Sequence, residues 1–150
     1  MHSTHFHRFG YSDNLLTPAN YISRQVAFSP VEIPAAEPAP LVSAIIPCLN
    51  EELTLAICIK KVTEAFTRLG IQGEIIIGDN GSTDQSVEIA KSLGARVIHQ
   101  SVKGYGAAIS AAASAAKGKY LIMADADDSY DWSQLDIFVD ALESGADFVM

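Results

Sequence analysis

The chain has 150 residues, of which 49% are hydrophobic and 19% are charged, and its formal net charge is -8. This composition is typical of a folded globular protein with one core. It excludes a nucleic-acid-binding protein, since no basic stripe is present to meet phosphates. No apolar run approaches the roughly 20 residues that a membrane helix requires. The two cysteines, Cys48 and Cys58, lack metal-ligand spacing, so we expect reduced thiols in a cytoplasmic protein.

The first 40 residues differ in composition from the rest of the chain. They show no sustained hydrophobic periodicity and end in a proline-rich run at residues 31–40. Such a stretch is typical of a flexible tail and an extended linker. The early histidines, His2, His5 and His7, allow adventitious metal binding, but a solvated tail is the better interpretation.

From residue 41 onwards, short apolar runs alternate with helical periods of three and four residues. This alternation predicts a mostly parallel sheet with helices on both faces. Asn50 and Ser82 are predicted to cap helices, because acidic or glutamine residues follow them in the first turn. The predicted strands lie at residues 41–46, 74–78, 95–98, 119–124 and 147–150. The chain ends within the last of them, which indicates a truncated chain or a fragment.

Ligands of a parallel sheet bind at the carboxyl ends of its strands. The segments that follow the first four predicted strands are residues 47–51, 79–84, 103–106 and 125–128, and three of them carry carboxylates. Carboxylates that converge on one edge repel each other. We therefore expect a bound cation, or a ligand rich in hydrogen-bond donors, at this edge.

Among these segments, Asp125-Ala126-Asp127 has the most specific chemical interpretation, and it directly follows a predicted buried strand. Two carboxylates separated by one residue can place oxygens beside one Mg²⁺ or Mn²⁺ ion, whose remaining ligands are substrate phosphates. The alternative is an acidic turn in which Asp128 and Ser129 cap the next segment. The tripeptide is weak evidence alone, and its position after an apolar strand strengthens it.

The two other polar segments each allow two interpretations. Asp79 can accept hydrogen bonds from a base or a ribose, whereas the Asn-Gly pair that follows it is also typical of a hairpin turn. Lys103 and Gly104 can form a phosphate-binding loop. Equally, they can be a glycine-rich helix start with an exposed lysine.

Taken in order, residues 46–52, 79–84, 104–108 and 123–130 resemble the catalytic domain of glycosyltransferase family 2, which has the GT-A fold. They are most similar to the polyprenyl-phosphate (dolichol-phosphate-type) hexose synthases. The resemblance covers residues 41–150 and implies that they are the N-terminal part of the domain, which binds the nucleotide sugar. It also implies metal-dependent transfer of a hexose, with inversion, from a UDP- or GDP-sugar to a polyprenyl phosphate or a glycan acceptor.

The resemblance assigns roles to individual residues. The sugar nucleotide would contact Pro47, Asn50, Glu51, Asp79, Lys103, Gly104 and Asp125, and a Mg²⁺ or Mn²⁺ ion would be held by Asp125 and Asp127. No catalytic base is assigned. A lipid acceptor implies work at the cytoplasmic face of a membrane, through peripheral contact or a downstream membrane segment. The family's Gly-Ser-Arg-type segment and the acceptor-binding half are expected beyond residue 150.

Three other functions stay open at this point. The chain can be a truncated, catalytically inactive nucleotide-binding fragment, or a nucleotide-binding regulatory module on a doubly wound fold. The regulatory module is favoured if Asp127→Ala leaves nucleotide and Mn²⁺ binding unchanged. A dinucleotide-dependent oxidoreductase is the weakest alternative, because no glycine fingerprint follows the first strand.

Overall fold

The computed structural model describes residues 38–150. They contain a four-stranded sheet of order β3-β2-β1-β4 in which every neighbouring pair is parallel. The elements in chain order are β1 (Val42–Cys48), α1 (Leu55–Leu69), β2 (Gly73–Asp79), α2 (Ser86–Ser92), β3 (Arg96–His99), α3 (Tyr105–Ala115), β4 (Tyr120–Met123), a 3₁₀ turn (Trp132–Gln134) and α4 (Leu135–Glu143). The predicted α/β fold class is confirmed. Of the predicted tail, only residues 38–40 are described. Its other residues, with His2, His5 and His7 among them, lie outside the described part of the chain.

Helices cover both faces of the sheet, as the sequence predicts. β1 is buried along its whole length. On one face its alternate residues Val42, Ala44 and Ile46 pack with the apolar side of α1 in the main core. On the other face Ile45 packs with Ala112 of α3 in a smaller cluster. None of the helices in residues 38–150 is long and apolar enough to cross a membrane.

The alanine-rich α3 lies unusually close to the sheet. A Cβ atom added at Gly78, near the end of β2, would lie 2.5 Å from the carbonyl oxygen of Ala108. Only glycine at that position and small side chains on the helix permit this approach. The approach brings the first turn of α3 to the carboxyl edge of the sheet.

The amino-terminal edge of the sheet carries a closed polar network around Glu74. Its Oε1 accepts hydrogen bonds from Ser43 Oγ at 2.7 Å and from the Lys117 amide at 2.6 Å, and its Oε2 pairs with Arg96 at 2.6 Å. Burial alone raises the pKa of Glu74, but these hydrogen bonds and the Arg96 charge lower it below its ordinary value. The network ties the end of α3 to the sheet, and its polar groups are already paired.

Two predicted helix starts are wrong. α1 begins at Leu55 rather than directly after Asn50, whose φ of 59° is left-handed. α2 begins at Ser86, and the Ser86 amide is bonded to Asp84 rather than to a Ser82 cap. The physical reason is that these polar side chains bond the neighbouring loop, as described below, instead of the nearest helix.

The predicted fifth strand is also wrong, because residues 147–150 form no strand. They lie along an apolar groove beside β4, together with Leu121, Met123 and Phe138. A strand needs a hydrogen-bonding neighbour. β4 is an edge strand in the described part of the chain, and residues 147–150 do not pair with it. Their apolar side chains line the groove instead.

Candidate functional site

A cleft of about 270 Å³ opens at the carboxyl ends of β1, β2 and β4. Of the residues predicted to bind a ligand, Pro47, Glu51, Asp125 and Asp127 line it. The other lining residues are Cys48, Leu49, Asn80, Tyr105, Ala108 and Ala126. The cleft therefore brings together the segments after the first, second and fourth strands, together with the start of α3.

The loop after β1 and the loop after β2 are hydrogen-bonded directly to each other. The Glu51 amide donates to Ser86 Oγ at 2.9 Å, and the Glu52 amide donates to Asp84 Oδ2 at 3.0 Å. Asn50 is bonded in both directions, since its amide donates to Ser82 Oγ and its side-chain oxygen accepts from the Thr83 amide. The Asn50 side chain, predicted to contact a ligand, is thus committed to the opposite loop and does not line the cleft.

Asp79 at the end of β2 is 2% exposed and has both carboxylate oxygens occupied. Oδ1 accepts from the Ser82 amide at 3.0 Å, and Oδ2 accepts from the Gly81 amide and lies 2.9 Å from His99 Nδ1. Burial raises the pKa of Asp79, but the hydrogen bonds from Ser82, His99 and Gly81 lower it below its ordinary value. Asp79 holds this turn in shape, and contact with a base stays a prediction.

Asn80 is the buried residue that organises the segment between β3 and α3. Its Nδ2 donates to the carbonyl oxygens of Gln100 at 3.0 Å and Val102 at 2.8 Å, and its Oδ1 accepts from the Gly104 amide at 2.7 Å. Lys103 Nζ donates to the Asn80 carbonyl oxygen at 2.7 Å. Lys103 and Gly104 are therefore attached to the turn after β2, and neither lines the cleft. The sequence indicated only a turn at Asn80, because a side chain bonded to a distant loop leaves no local pattern.

Across the cleft, Tyr105 donates a hydrogen bond from its hydroxyl to Asp125 Oδ1 at 2.6 Å. This bond to a carboxylate, together with partial burial, raises the pKa of Tyr105 to about 12. Asp127 is exposed, and its Oδ1 accepts from the Ser129 amide at 3.0 Å. Hydrogen bonding by Ser129, through its side chain first and its amide second, lowers the pKa of Asp127 below its ordinary value. Tyr105 was not among the predicted site residues, although it lies in one of the motifs.

The loop that carries Asp125 and Asp127 is also held by α1. Lys61 pairs with Asp128 at 2.7 Å, and the buried thiol of Cys58 donates to the Ala126 carbonyl oxygen at 3.3 Å. Burial raises the pKa of Cys58, so this thiol remains protonated and can donate. The loop thus rests on side chains from two helices.

The carboxylates of the cleft fit a hard cation only if a ligand supplies further oxygens. Within residues 38–150 there is no group of three or more His, Cys, Asp or Glu side chains placed to hold a metal ion. Asp125 and Asp127 supply two carboxylates. Proteins usually hold Mg²⁺ with one or two carboxylates, and water and substrate phosphates supply the remaining ligands. The residues present therefore fit a cation shared with a phosphorylated ligand.

Residues 43–150 match the family model described as Glycosyl transferase family 2. The chain belongs to glycosyltransferase family 2. It is 42% identical over 113 residues to the low-salt glycan biosynthesis hexosyltransferase Agl6 of Haloferax volcanii, covering 75% of this chain and 27% of that protein. It is 40% identical over 78 residues to the dolichyl-phosphate hexose transferase of the same organism, covering 52% of this chain and 34% of that protein.

A solved structure has a similar fold. Glucosyl-3-phosphoglycerate synthase from Mycobacterium tuberculosis, in complex with Mn²⁺, uridine diphosphate and glucosyl-3-phosphoglycerate, has a TM-score of 0.61 and 26% identity to this chain. The match covers 71% of this chain and 40% of that protein. The family-2 chain described here thus has a GT-A neighbour with metal and nucleotide bound. In each of these comparisons it spans less than half of the matched protein.

Proposed function

We propose that the chain forms the nucleotide-sugar-binding part of a metal-dependent hexosyltransferase. Its sugar nucleotide is a UDP- or GDP-hexose, and its acceptor is a polyprenyl phosphate or a similar molecule. The observation that carries this proposal is the cleft at the carboxyl edge of the sheet. There the Pro47–Glu51 side faces the Asp125–Asp127 side.

The two sides of the cleft match the two chemical parts of a sugar nucleotide. Pro47 and Leu49 supply apolar surface on the β1 side, which suits the nucleoside. Asp125 and Asp127 supply hard oxygens on the β4 side, which suit a cation bridging to a diphosphate. When bound, such a cation neutralises the negative charge that develops on the departing diphosphate.

The chain's own residues fix the nucleoside side of this arrangement before any ligand arrives. The hydrogen bonds between the loops after β1 and β2 fix the nucleoside side in place. A side of the cleft that is already held in place loses less conformational freedom when the nucleoside binds. If the acceptor is a lipid phosphate, it is already anionic and needs no strong base to attack the anomeric carbon. This agrees with the lack of an assigned catalytic base.

The proposed acceptor class is supported by a relative's name rather than by the cleft, and the proposed cellular location follows from that acceptor. A matched relative is named a dolichyl-phosphate hexose transferase, and this name supports a polyprenyl phosphate as acceptor. A lipid acceptor would bring the protein to the cytoplasmic face of a membrane. The Mn²⁺ and uridine diphosphate in the solved neighbour support the cation and a UDP-sugar as the first candidates.

The proposal is tested by calorimetric titration of the chain with UDP and GDP, their glucose and mannose derivatives, and Mn²⁺. We expect binding that requires Mn²⁺ and that falls at least about tenfold in Asp127→Asn, because one of two cation-binding carboxylates is lost. Asp140→Asn on the exposed side of α4 removes the same charge away from the cleft and should bind like the wild type. Equal binding by Asp127→Asn and the wild type would contradict the metal site. It would favour a regulatory nucleotide-binding module.

A further inference from the structure

Tyr105 connects the two sides of the cleft. Tyr105 is the first residue of α3, and the start of this helix is hydrogen-bonded to the turn after β2. The Tyr105 hydroxyl nevertheless donates to Asp125, which lies in the loop after β4. Among residues 38–150, the Asp125 carboxylate makes no other hydrogen bond than this one. The ring is 56% exposed, so burial does not force the contact.

The position of Tyr105 is set by the residues immediately before it. Gly104 has a φ of 133°, a backbone conformation that residues with a side chain rarely adopt. Its amide is bonded to the buried Asn80 side chain, and Lys103 is bonded to the Asn80 carbonyl oxygen. Asn80 and Gly104 therefore aim the first turn of α3, and with it the Tyr105 hydroxyl, at Asp125.

The hydrogen bond leaves the Asp125 carboxylate able to bind a further partner. A carboxylate offers about four acceptor positions on its two oxygens, and Tyr105 occupies one of them. Asp125 Oδ2 and the remaining position on Oδ1 stay available to a cation or to a ligand hydroxyl in the cleft. The tyrosine and a cation thus do not compete for the same position. The bond does, however, restrict rotation of the carboxylate.

The chemistry of the hydroxyl identifies it as a hydrogen-bond donor rather than a base. A tyrosine phenol has an ordinary pKa of about 10, so the hydroxyl is protonated at neutral pH, and it lies 2.6 Å from Asp125 Oδ1 as the donor. A protonated phenol cannot accept the proton of an attacking hydroxyl, whereas it can hold a carboxylate in one orientation. Donors of this kind beside metal-binding groups commonly contribute about 10- to 100-fold to metal affinity.

We propose that Tyr105 is a positioning residue that orients the Asp125 carboxylate toward the cation and diphosphate in the cleft. This inference rests on the proposed function of the cleft. It adds a residue on α3 to a cation site whose carboxylates come from the loop after β4. It also gives a role to the hydrogen bonds of Asn80, which fix the start of that helix.

The test is Tyr105→Phe in the 150-residue chain, which removes only the hydroxyl. Mn²⁺-dependent binding of UDP and GDP is measured by titration calorimetry, and the electron paramagnetic resonance spectrum of bound Mn²⁺ is recorded. We expect affinity to fall about tenfold and the Mn²⁺ spectrum to change, with little change in the thermal midpoint. Tyr130→Phe is the matched control, because Tyr130 is half exposed and lies in the segment after β4. This variant should behave like the wild type.

A double-mutant cycle with Asp125→Asn separates positioning from a general loss of structure. If Tyr105 acts through Asp125, adding Tyr105→Phe to Asp125→Asn causes little further loss. Unchanged affinity and an unchanged Mn²⁺ spectrum in Tyr105→Phe overturn the inference. If Asp127→Asn and Asp125→Asn still weaken binding in that case, the proposed function stands. A wild-type chain that binds no nucleotide with Mn²⁺ overturns both.

Discussion

On the β1–β2 side of the cleft, two loops bond each other through backbone amides, whereas on the β4 side the loop is held by side chains from elsewhere. The first side joins residues 50–52 to residues 82–86 by reciprocal hydrogen bonds. The second side depends on Tyr105, Lys61 and Cys58, which reach Asp125, Asp128 and Ala126 from α3 and α1. Lys61 and Tyr105 are exposed.

This difference indicates a division of labour within the site. Reciprocal bonds between backbone amides and side chains of the opposite loop fix geometry with little conformational freedom, and such a framework suits binding of a rigid base and ribose. Long, exposed side chains hold a loop more weakly and allow it to adjust. We therefore expect the nucleoside side to be preformed and the cation side to adapt when ligand arrives.

The largest effect is expected for Asn80→Ala. The substitution removes hydrogen bonds to Gln100, Val102 and Gly104 in a buried place. With each bond contributing about 1 kcal/mol, we expect a loss of about 3 kcal/mol in the free energy of unfolding. Urea denaturation measures this loss. Binding of UDP with Mn²⁺ should weaken as well, because Tyr105 loses its support.

The control for this prediction is Asn50→Ala on the exposed part of the paired loops. Asn50 accepts from the Thr83 amide at 2.7 Å and has a left-handed φ of 59° that strains alanine, so the substitution should cost about 1 to 2 kcal/mol. If both substitutions destabilise the chain equally, burial of Asn80 does not distinguish the two positions. The idea of one central organising residue would then be wrong.

Much of the fold follows from the sequence because apolar runs of strand length and helical periods are local patterns. β1 and β2 are such runs, and Pro47, Glu51, Asp125 and Asp127 lie in the cleft because parallel strands end at one edge. Asn80 and Tyr105 were missed because their partners are distant in sequence. Their bonds depend on the close approach of α3 that Gly78 allows.

The wrong predictions share a physical cause with the missed ones. Asn50 and Ser82 are residues that cap helices, but the same short polar side chains can equally bond a neighbouring loop. A local pattern does not show which partner wins, because the spacing between β1 and β2 brings the opposite loop within reach. Residues 147–150 have the apolar composition of a strand, yet strand formation also needs a neighbour.

A smaller effect is expected from the pH dependence of Asp79 on the preformed side. Its pKa in the folded chain lies below the ordinary value, so the ionised carboxylate stabilises the fold at pH above the ordinary pKa of about 3.9. That stabilisation is lost as pH falls through the lower, folded-state pKa. Unfolding free energies of the wild type and Asp79→Asn should therefore differ at neutral pH and converge as the pH falls below the ordinary pKa of aspartate.

Other acids with lowered pKa values also titrate in this range, so the comparison uses the difference between the two proteins. Glu74→Gln is the matched control, because its pKa is lowered as well and it lies at the opposite edge of the sheet. It should show the same convergence without weakening UDP binding. A constant difference between Asp79→Asn and the wild type over the whole range would contradict an ionised Asp79 as the support of this turn.

The smallest effect is expected for Lys61→Met on the adjustable side. Lys61 and Asp128 are bonded at 2.7 Å, but the lysine side chain is 43% exposed. Exposed ion pairs of this kind contribute little to stability and are screened by salt. The thermal midpoint of Lys61→Met should match that of the wild type, and high salt should not separate the two.

Amide hydrogen exchange in residues 125–129 should nevertheless become faster, because the loop loses a contact with α1. Exchange in residues 50–52 should not change. Faster exchange in both loops would show that the two sides of the cleft are coupled and would break the distinction between a preformed and an adjustable side.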